Sequence, residues 1–136
     1  MATEGYVHVV VFANRNPKID EQEFNHHWQN EHSTICAPWL RRHSVVNYSQ
    51  HHTTSAWKDR AKNTGLPIVS YDGMAHFWYK TFEDFERAYE DQYYKDVVRK
   101  DEEYLFDLNS ISITIGVDYC VIEDAKVVEE HQKGRI

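Results

Sequence analysis

The feature that most constrains the fold is an alternation with a period of two residues, which returns four times along the chain. Such a period is typical of β-strands whose two faces differ. The four segments are residues 6–14, 42–52, 72–80 and 109–123. Amphipathic helical segments separate the first strand from the second and the third from the fourth. The order β-α-β-β-α-β predicts a ferredoxin-like α+β domain, with two helices on one face of a four-stranded antiparallel sheet.

Capping residues predict where the two helices begin. Asp20 followed by Glu23 is a spacing typical of a helix N-terminus, so the first helix is expected to begin there. Its apolar face is Phe24, Trp28, His32 and Ile35. Pro38 is predicted to end this helix. Thr81 is predicted to cap the second helix. Its apolar stripe is Phe82, Phe85, Ala88 and Tyr89.

The remaining segments lack a clear period. Residues 53–71 show at most a short helix over residues 55–61, and a long irregular segment in a compact domain is more often a lid or binding loop than a linker. The charged, Tyr-rich residues before the fourth strand are interpreted as a turn region. At 136 residues the chain fits a single domain. We expect its core over residues 6–123 and an exposed or loosely docked tail over residues 124–136.

The strand pattern also predicts a second molecule. One side of each strand is aliphatic and the other mixes aromatic and polar side chains, as expected if helices cover one face and a cavity lies against the other. The mixed side includes His8, Val10, Phe12, Met74, His76 and Trp78. A soluble monomer rarely exposes such a patch. We therefore expect two copies to pair about a twofold axis as a homodimeric α+β barrel.

Charge and composition argue against several classes of partner. The chain carries 22 acidic and 15 basic residues, a formal net charge of −7, which disfavours nucleic acid. No segment has the roughly 20 apolar residues of a membrane span, and residues 1–5 do not resemble a signal peptide. Two cysteines without an export signal predict reduced thiols. We expect a cytoplasmic protein that binds neither nucleic acid nor membrane.

The nine histidines are the strongest candidates for catalytic residues in this sequence. In a ferredoxin-like sheet the third strand lies between the first and the second, so His76 is predicted to have His8 on one side and Gln50 or His52 on the other. Imidazole transfers protons near neutral pH. For each histidine taken alone, a hydrogen-bonded structural role stays open. The spacings do not match common zinc motifs, so neither a metal nor an organic cofactor is predicted.

The chain resembles the EthD domain in four runs that occur in the same order. These are EFNHHWQNEH (residues 23–32), VVNYSQHH (45–52), YDGMAHFWY (71–79) and DEEYLFDLNS (101–110). The resemblance implies a dimeric α+β barrel and points to small cofactor-independent proteins of fungal polyketide pathways, including decarboxylases of anthraquinone-type precursor acids. The matching positions are Phe24, Trp28, His32, Tyr48, Gln50, Asp72, Gly73, Trp78, Asp101, Phe106 and Asp107. The extra histidines His51, His52 and His76 depart from the family pattern.

These observations favour a lyase that removes carbon dioxide or water from an aromatic or polyketide acid. His32 or His76 is the predicted proton donor, with Asp72 or Tyr48 orienting it. An apolar pocket disfavours a carboxylate relative to neutral carbon dioxide. The residues predicted to bind the substrate are His8, Phe12, Trp28, Gln50, His52 and Trp78.

Two alternative interpretations use the same pocket. One is a monooxygenase of the same fold, either cofactor-free or dependent on haem or a metal. The other is a non-catalytic, stress-type barrel whose aromatic pocket only binds a small apolar molecule. Oxygen uptake, a visible spectrum and a panel of candidate acids separate these interpretations from the lyase.

Overall fold

The computed structural model describes residues 3–134 and contains a four-stranded antiparallel sheet with helices on one face. The strands are β1 (Val7–Arg15), β2 (Val45–His52), β3 (Gly73–Tyr79) and β4 (Phe106–Val117). Their spatial order is β2-β3-β1-β4, and every neighbouring pair is antiparallel. The ferredoxin-like α+β order predicted from the sequence is confirmed.

The first helical stretch is longer than predicted. It consists of α1 (Glu21–His27), a first π-helical turn (Trp28–His32) and α2 (Ser33–Arg42). Asp20 caps it as predicted, since its side chain accepts a hydrogen bond of 2.8 Å from the Glu23 amide. The prediction that Pro38 ends the helix was wrong, because Pro38 lies inside α2. Burial of the next two residues, Trp39 and Leu40, offsets the backbone hydrogen bond that proline cannot donate.

Helical structure also fills the region predicted to be a turn. The remaining helices are α3 (Ser55–Lys62), α4 (Phe82–Glu90) and α5 (Arg99–Leu105), with a second π-helical turn (Tyr94–Val98) before α5. α3 confirms the short helix expected within residues 53–71, and Thr81 caps α4 through reciprocal hydrogen bonds with Asp84. The turn prediction was wrong because Val98 and Leu105 give the charged segment a fully buried apolar side.

The end of the chain is more ordered than the predicted tail. β4 begins earlier than expected, since Phe106 already pairs with Arg15 of β1. It also ends earlier, at Val117. A hairpin of β5 (Ile122–Glu123) and β6 (Lys126–Val127) follows, and then a 3₁₀-helical turn (Glu129–Gly134). The last two residues of the predicted tail lie outside the described residues. Within residues 3–134, no helix is long and apolar enough to cross a membrane.

The two faces of the sheet differ in what covers them. The helix-covered face carries Val9, Ala13, Ala75, Phe77 and Tyr79, each at most 8% exposed. The other face, called the open face below, carries His8, Val10, Phe12, Met74, His76 and Trp78. These side chains are half-buried rather than exposed, because large rings cover one another. The expectation of an exposed apolar patch there needs correction.

Exposed aliphatic side chains occur on the edge strand β4 instead. Ile113, Ile115 and Val117 are 48%, 43% and 71% exposed. They lie opposite Val11, Val9 and Val7 in the register, so they belong to the helix-covered face. They are exposed because β4 is at the edge of the sheet, beyond the helices.

Candidate active site

A small cavity lies between the helices and the sheet, beside the first π-helical turn. The cavity has a volume of about 40 Å³. Its wall includes Trp28, His32, Tyr48, Glu102 and Phe106. A π-helical turn holds an extra residue and often occurs at functional sites. The first turn contributes Trp28 and His32, and the second leads into α5, which contributes Glu102.

Tyr48 keeps its own hydroxyl proton available to the cavity. The Gln50 amide nitrogen donates to the Tyr48 oxygen at 2.9 Å, and an amide nitrogen cannot accept in return. Burial raises the pKa of Tyr48 although the neighbouring Gln50 and Trp28 side chains lower it, so the hydroxyl group is protonated at neutral pH. Tyr48 can therefore donate a hydrogen bond or a proton into the cavity.

Gln50 and His52 hold Tyr48 in place through a chain of hydrogen bonds. The Gln50 amide nitrogen also donates to the Trp28 carbonyl oxygen at 2.9 Å, while its Oε1 lies 2.8 Å from His52 Nε2. His52 Nδ1 lies 2.6 Å from Asn25 Oδ1. Burial lowers the pKa of His52, so the neutral ring donates through one nitrogen at a time. This series of hydrogen bonds links α1 to β2 and fixes the position of the Tyr48 ring.

His32 is a buried imidazole oriented by a carboxylate. Its Nδ1–H donates to Asp101 Oδ2 at 2.6 Å, and His27 donates to the other Asp101 oxygen at 2.8 Å. Although burial opposes ionisation, these two hydrogen bonds hold the pKa of Asp101 below its usual value. Cys36 Sγ lies 3.2 Å from His32 Nε2, and burial raises the pKa of this thiol, so it stays protonated and can donate to Nε2. His32 Nε2 is thus an acceptor, as a general base requires.

Glu102 brings a carboxyl group to the same cavity. The Tyr94 hydroxyl donates to Glu102 Oε1 at 2.7 Å, but burial outweighs this bond and raises the pKa of Glu102. A carboxyl group with a raised pKa can exchange a proton closer to neutral pH. A cavity of about 40 Å³ holds water rather than an organic substrate. The surrounding elements must therefore separate before a substrate can enter.

A second histidine cluster lies on the open face. His8 Nδ1–H donates to Asp118 Oδ1 at 2.7 Å, and His8 Nε2 lies 2.9 Å from His76 Nδ1. The Trp78 indole N–H donates to Asp118 Oδ2 at 2.6 Å, and its ring stacks on His8 with 4.1 Å between centroids. Burial, followed by the charge of His8, lowers the pKa of His76. The row Asp118–His8–His76 is suited to proton transfer, because hydrogen bonds link all three groups.

The structure separates residues that the sequence analysis placed in one site. Trp28, His32, Tyr48, Gln50 and His52 lie on the helix-covered side, whereas His8, Phe12, His76 and Trp78 lie on the open face. The predicted contact of His76 with Gln50 or His52 was wrong, because Ser49 is opposite His76 in the register. Alternation alone does not reveal which set of β2 residues faces the helices. Among residues 3–134, no three His, Cys, Asp or Glu side chains are grouped to hold a metal ion.

Asp72 has partners other than the predicted histidines. It accepts hydrogen bonds of 2.8 Å from Lys58 Nζ and from the Arg15 backbone amide. These bonds tie α3 to the adjoining ends of β1 and β3.

Sequence reasoning gave no role in a site to four residues of the two clusters: Cys36, Asp101, Glu102 and Asp118. Of these, Asp101 was named only as a position that matches the EthD domain. Asp101 and Glu102 fall within the run DEEYLFDLNS, but the turn interpretation hid the helix that carries them. Asp118 follows β4 with no sequence pattern that would mark it.

Comparison with known proteins identifies relatives over most of the chain. Residues 16–109 match the EthD domain. Dehydratase aurZ of Gibberella zeae is 25% identical over 124 residues, covering 88% of this chain and 82% of that protein. Conidial pigment biosynthesis dehydratase EthD of Metarhizium robertsii is 23% identical, covering 88% and 87%. Decarboxylase AgnL1 of Paecilomyces divaricatus is 23% identical, covering 87% and 82%.

A solved structure agrees with the fold. An ethyl tert-butyl ether d (ethd) family protein from Bacillus halodurans superposes with a TM-score of 0.55 at 16% identity, covering 84% of this chain and 99% of that chain. At this identity the likeness concerns the fold alone. The sequence match over residues 16–109 spans more than half of the chain and includes His32, Tyr48 and Asp101. The chain therefore belongs to the EthD domain family.

Proposed function

We propose that this protein is a lyase of the dehydratase or decarboxylase type, acting on a small aromatic or polyketide acid. Two fungal relatives named as dehydratases and one named as a decarboxylase support the reaction class. The relative named for conidial pigment biosynthesis supports a secondary metabolite as the substrate. Both reactions need proton transfer, which side chains of this protein supply.

The observation that carries this proposal is a proton donor and a proton acceptor on one buried cavity. Tyr48 retains its proton because burial raises its pKa, while Gln50 donates to its oxygen at 2.9 Å. His32 donates through Nδ1 to Asp101, so Nε2 is the acceptor, and a substrate proton takes the place of the Cys36 thiol on it. Both side chains line the cavity. An acid and a base facing one space are what the loss of water requires.

In the dehydration, His32 Nε2 takes a proton from the carbon beside the substrate carbonyl group. The electron pair of that C–H bond forms the new double bond, and the C–O bond of the β-hydroxyl group breaks. Tyr48 gives its proton to the leaving hydroxide, which departs as water. Gln50 donates to the tyrosinate oxygen and stabilises its charge. Proton transfer from His32 back to Tyr48 restores both groups.

In the decarboxylation, the bond between the carboxylate carbon and the adjoining carbon breaks, and carbon dioxide leaves. The electron pair remains on the adjoining carbon, to which Tyr48 delivers its proton, and a proton from solvent restores Tyr48. Apolar walls such as Trp28 and Phe106 disfavour the carboxylate relative to neutral carbon dioxide. Tyr48 therefore serves either reaction, His32 acts in the dehydration, and the substrate determines which bond breaks.

The test is turnover of a panel of aromatic and polyketide acids, with products identified by mass spectrometry. Tyr48→Phe is expected to lower kcat by about 10²–10⁴-fold in either reaction, the usual contribution of a positioned acid or base. His32→Gln is expected to lower kcat by a similar factor in the dehydration. Tyr119→Phe is the matched control, since Tyr119 is 63% exposed. Full turnover in both site variants would show that the assignment is wrong. Products that require oxygen uptake would indicate the monooxygenase, and binding without any product would indicate the non-catalytic barrel.

A second candidate for the proton donor is His76. Its hydrogen bond to His8, which is in turn bonded to Asp118, favours it. Phe12 and Trp78 would then form the apolar walls on the open face. If His76→Gln abolishes turnover while His32→Gln does not, the reaction occurs on the open face.

We also propose that the protein is a homodimer that pairs through β4. The exposed aliphatic side chains of this edge strand, Ile113, Ile115 and Val117, form a row that a soluble monomer would rarely present to water. Pairing about a twofold axis would cover the row in both copies.

A further inference from the structure

A groove of about 410 Å³ lies between α3, the end of β2 and the segment that leads to β3. It is much larger than the inner cavity of about 40 Å³ and falls within the range of about 300–1,000 Å³ typical of small-molecule sites. Trp57 and Ala61 of α3 form one wall, and Ile68 and Val69 form another. Trp57 is 60% exposed. The Cζ atom of Arg60 lies 4.8 Å from the centroid of the Trp57 ring. The groove therefore offers a broad aromatic surface to a ligand.

Lys58 lines the groove, and its ammonium group is paired with the carboxylate of Asp72. Its Nζ lies 2.8 Å from Asp72 Oδ1, and this ion pair uses one of the three N–H donors of the ammonium group. Asp72 is itself fixed by the Arg15 amide at 2.8 Å, so the ammonium group is anchored. The remaining donors can bind an anionic oxygen. An anchored cation beside apolar walls fits a planar aromatic ring that carries a carboxylate.

Trp28 and His52 form a partition between the groove and the inner cavity. His52 lines the groove, Trp28 lines the cavity, and their ring centroids are 4.4 Å apart. Gln50 bonds to both residues and to the Tyr48 oxygen. A ligand in the groove thus contacts the residue that begins the chain of bonds to Tyr48.

We propose that this groove binds the aromatic carboxylic acid before it reaches Tyr48 and His32, with its ring against Trp57 and its carboxylate on Lys58. The identity of this acid as the substrate rests on the proposed function. Binding of the acid in the groove does not depend on the proposed function, because it can be measured without turnover. Displacement of the Trp28–His52 partition then joins the groove to the cavity.

The experiment measures binding of a hydroxynaphthoic acid to the full chain. The readouts are the Kd and the NMR signal of the Trp57 indole N–H, with naphthol as the probe that lacks a carboxylate. Ala61→Trp fills the groove and is expected to raise the Kd at least about tenfold, a loss of about 1.4 kcal/mol. Ala56→Trp is the matched control, because Ala56 is an exposed residue of the same helix outside the groove. Lys58→Met is expected to remove the preference for the acid over naphthol, and Lys58→Arg to retain it.

Each outcome supports or overturns the inference. Equal Kd values for Ala61→Trp and the wild type, or an unchanged Trp57 signal on addition of the acid, would overturn it. Tyr48→Phe with an unchanged Kd but no turnover would support the groove and the proposed function together. Acid binding that Ala61→Trp weakens, in a protein that turns over no acid, would support the groove alone. In an active enzyme, Ala61→Trp is expected to raise KM more than it lowers kcat.

Discussion

The two faces of the sheet hold histidine clusters of similar composition in different surroundings. On the helix-covered side, Asp101 and His32 are 12% and 6% exposed at their side chains. On the open face, Asp118 and His8 are 35% and 18% exposed. Buried hydrogen bonds hold groups more rigidly, because water cannot replace a lost partner. The comparison shows why similar pairs of residues are expected to differ in their importance for stability and catalysis.

Removal of each carboxylate tests this comparison most strongly. Asp101→Ala leaves His27 and His32 buried without their acceptor and is expected to cost about 3 kcal/mol of unfolding free energy. Asp118→Ala leaves groups that water reaches and is expected to cost less than about 1 kcal/mol. Chemical denaturation measures both. Equal losses would show that burial does not distinguish the clusters.

A single methyl group probes how tightly each face is packed. A Cβ atom at Gly73 would lie 2.4 Å from the Trp28 ring, so Gly73→Ala is expected to cost about 1–3 kcal/mol and to displace the partition. Gly116 lies opposite His8 and has no neighbour within 4 Å of such an atom, so Gly116→Ala is expected to stay within about 0.5 kcal/mol. Thermal unfolding of the two variants compares the faces. A larger shift in Gly116→Ala would contradict the packing described above.

The oligomeric state tests which surface a second copy covers. Wild-type protein is expected to sediment at about twice the chain mass of 16.2 kDa. Ile115→Lys introduces a charge into the β4 row and is expected to shift the protein toward the monomer. Leu66→Lys is the control, since Leu66 is exposed outside that row. A strictly monomeric wild type at micromolar concentration would refute the dimer, and a dimeric Ile115→Lys would move the interface elsewhere.

The smallest expected effect is a pH dependence of thermal stability that arises from His76 on the open face. Burial and the neighbouring His8 lower the pKa of His76 in the folded protein. As pH falls below about 6.5, the unfolded chain binds this proton more readily, so folding loses stability. We expect Tm to fall between pH 7 and pH 5, and to fall less in His76→Gln. His26→Gln, at an exposed position, is expected to follow the wild type. Parallel curves for all three proteins would contradict the assignment.

Local chemistry made the fold predictable, and long-range register limited the prediction of the site. Asp20 and Thr81 act within one helical turn, and the alternation of β1 and β3 is set by neighbours in sequence, so each could be predicted. The partner of His32 is Asp101, 69 positions away, on a helix whose charged outer side concealed its buried residues. The position of Gln50 depends on which side of β2 packs against α1, and period-two alternation allows both answers.

The π-helical turn at Trp28–His32 makes the length of the first helical stretch part of the site. Loss of one residue within it would restore regular α-helix and change the directions of the side chains inside the turn. His32 would then point away from Asp101, while Asp20 would still cap the helix and the sheet would still form. A descendant of this sequence could therefore lose its chemistry through one deletion and keep its fold. Such a protein would retain family resemblance without the acid–base pair.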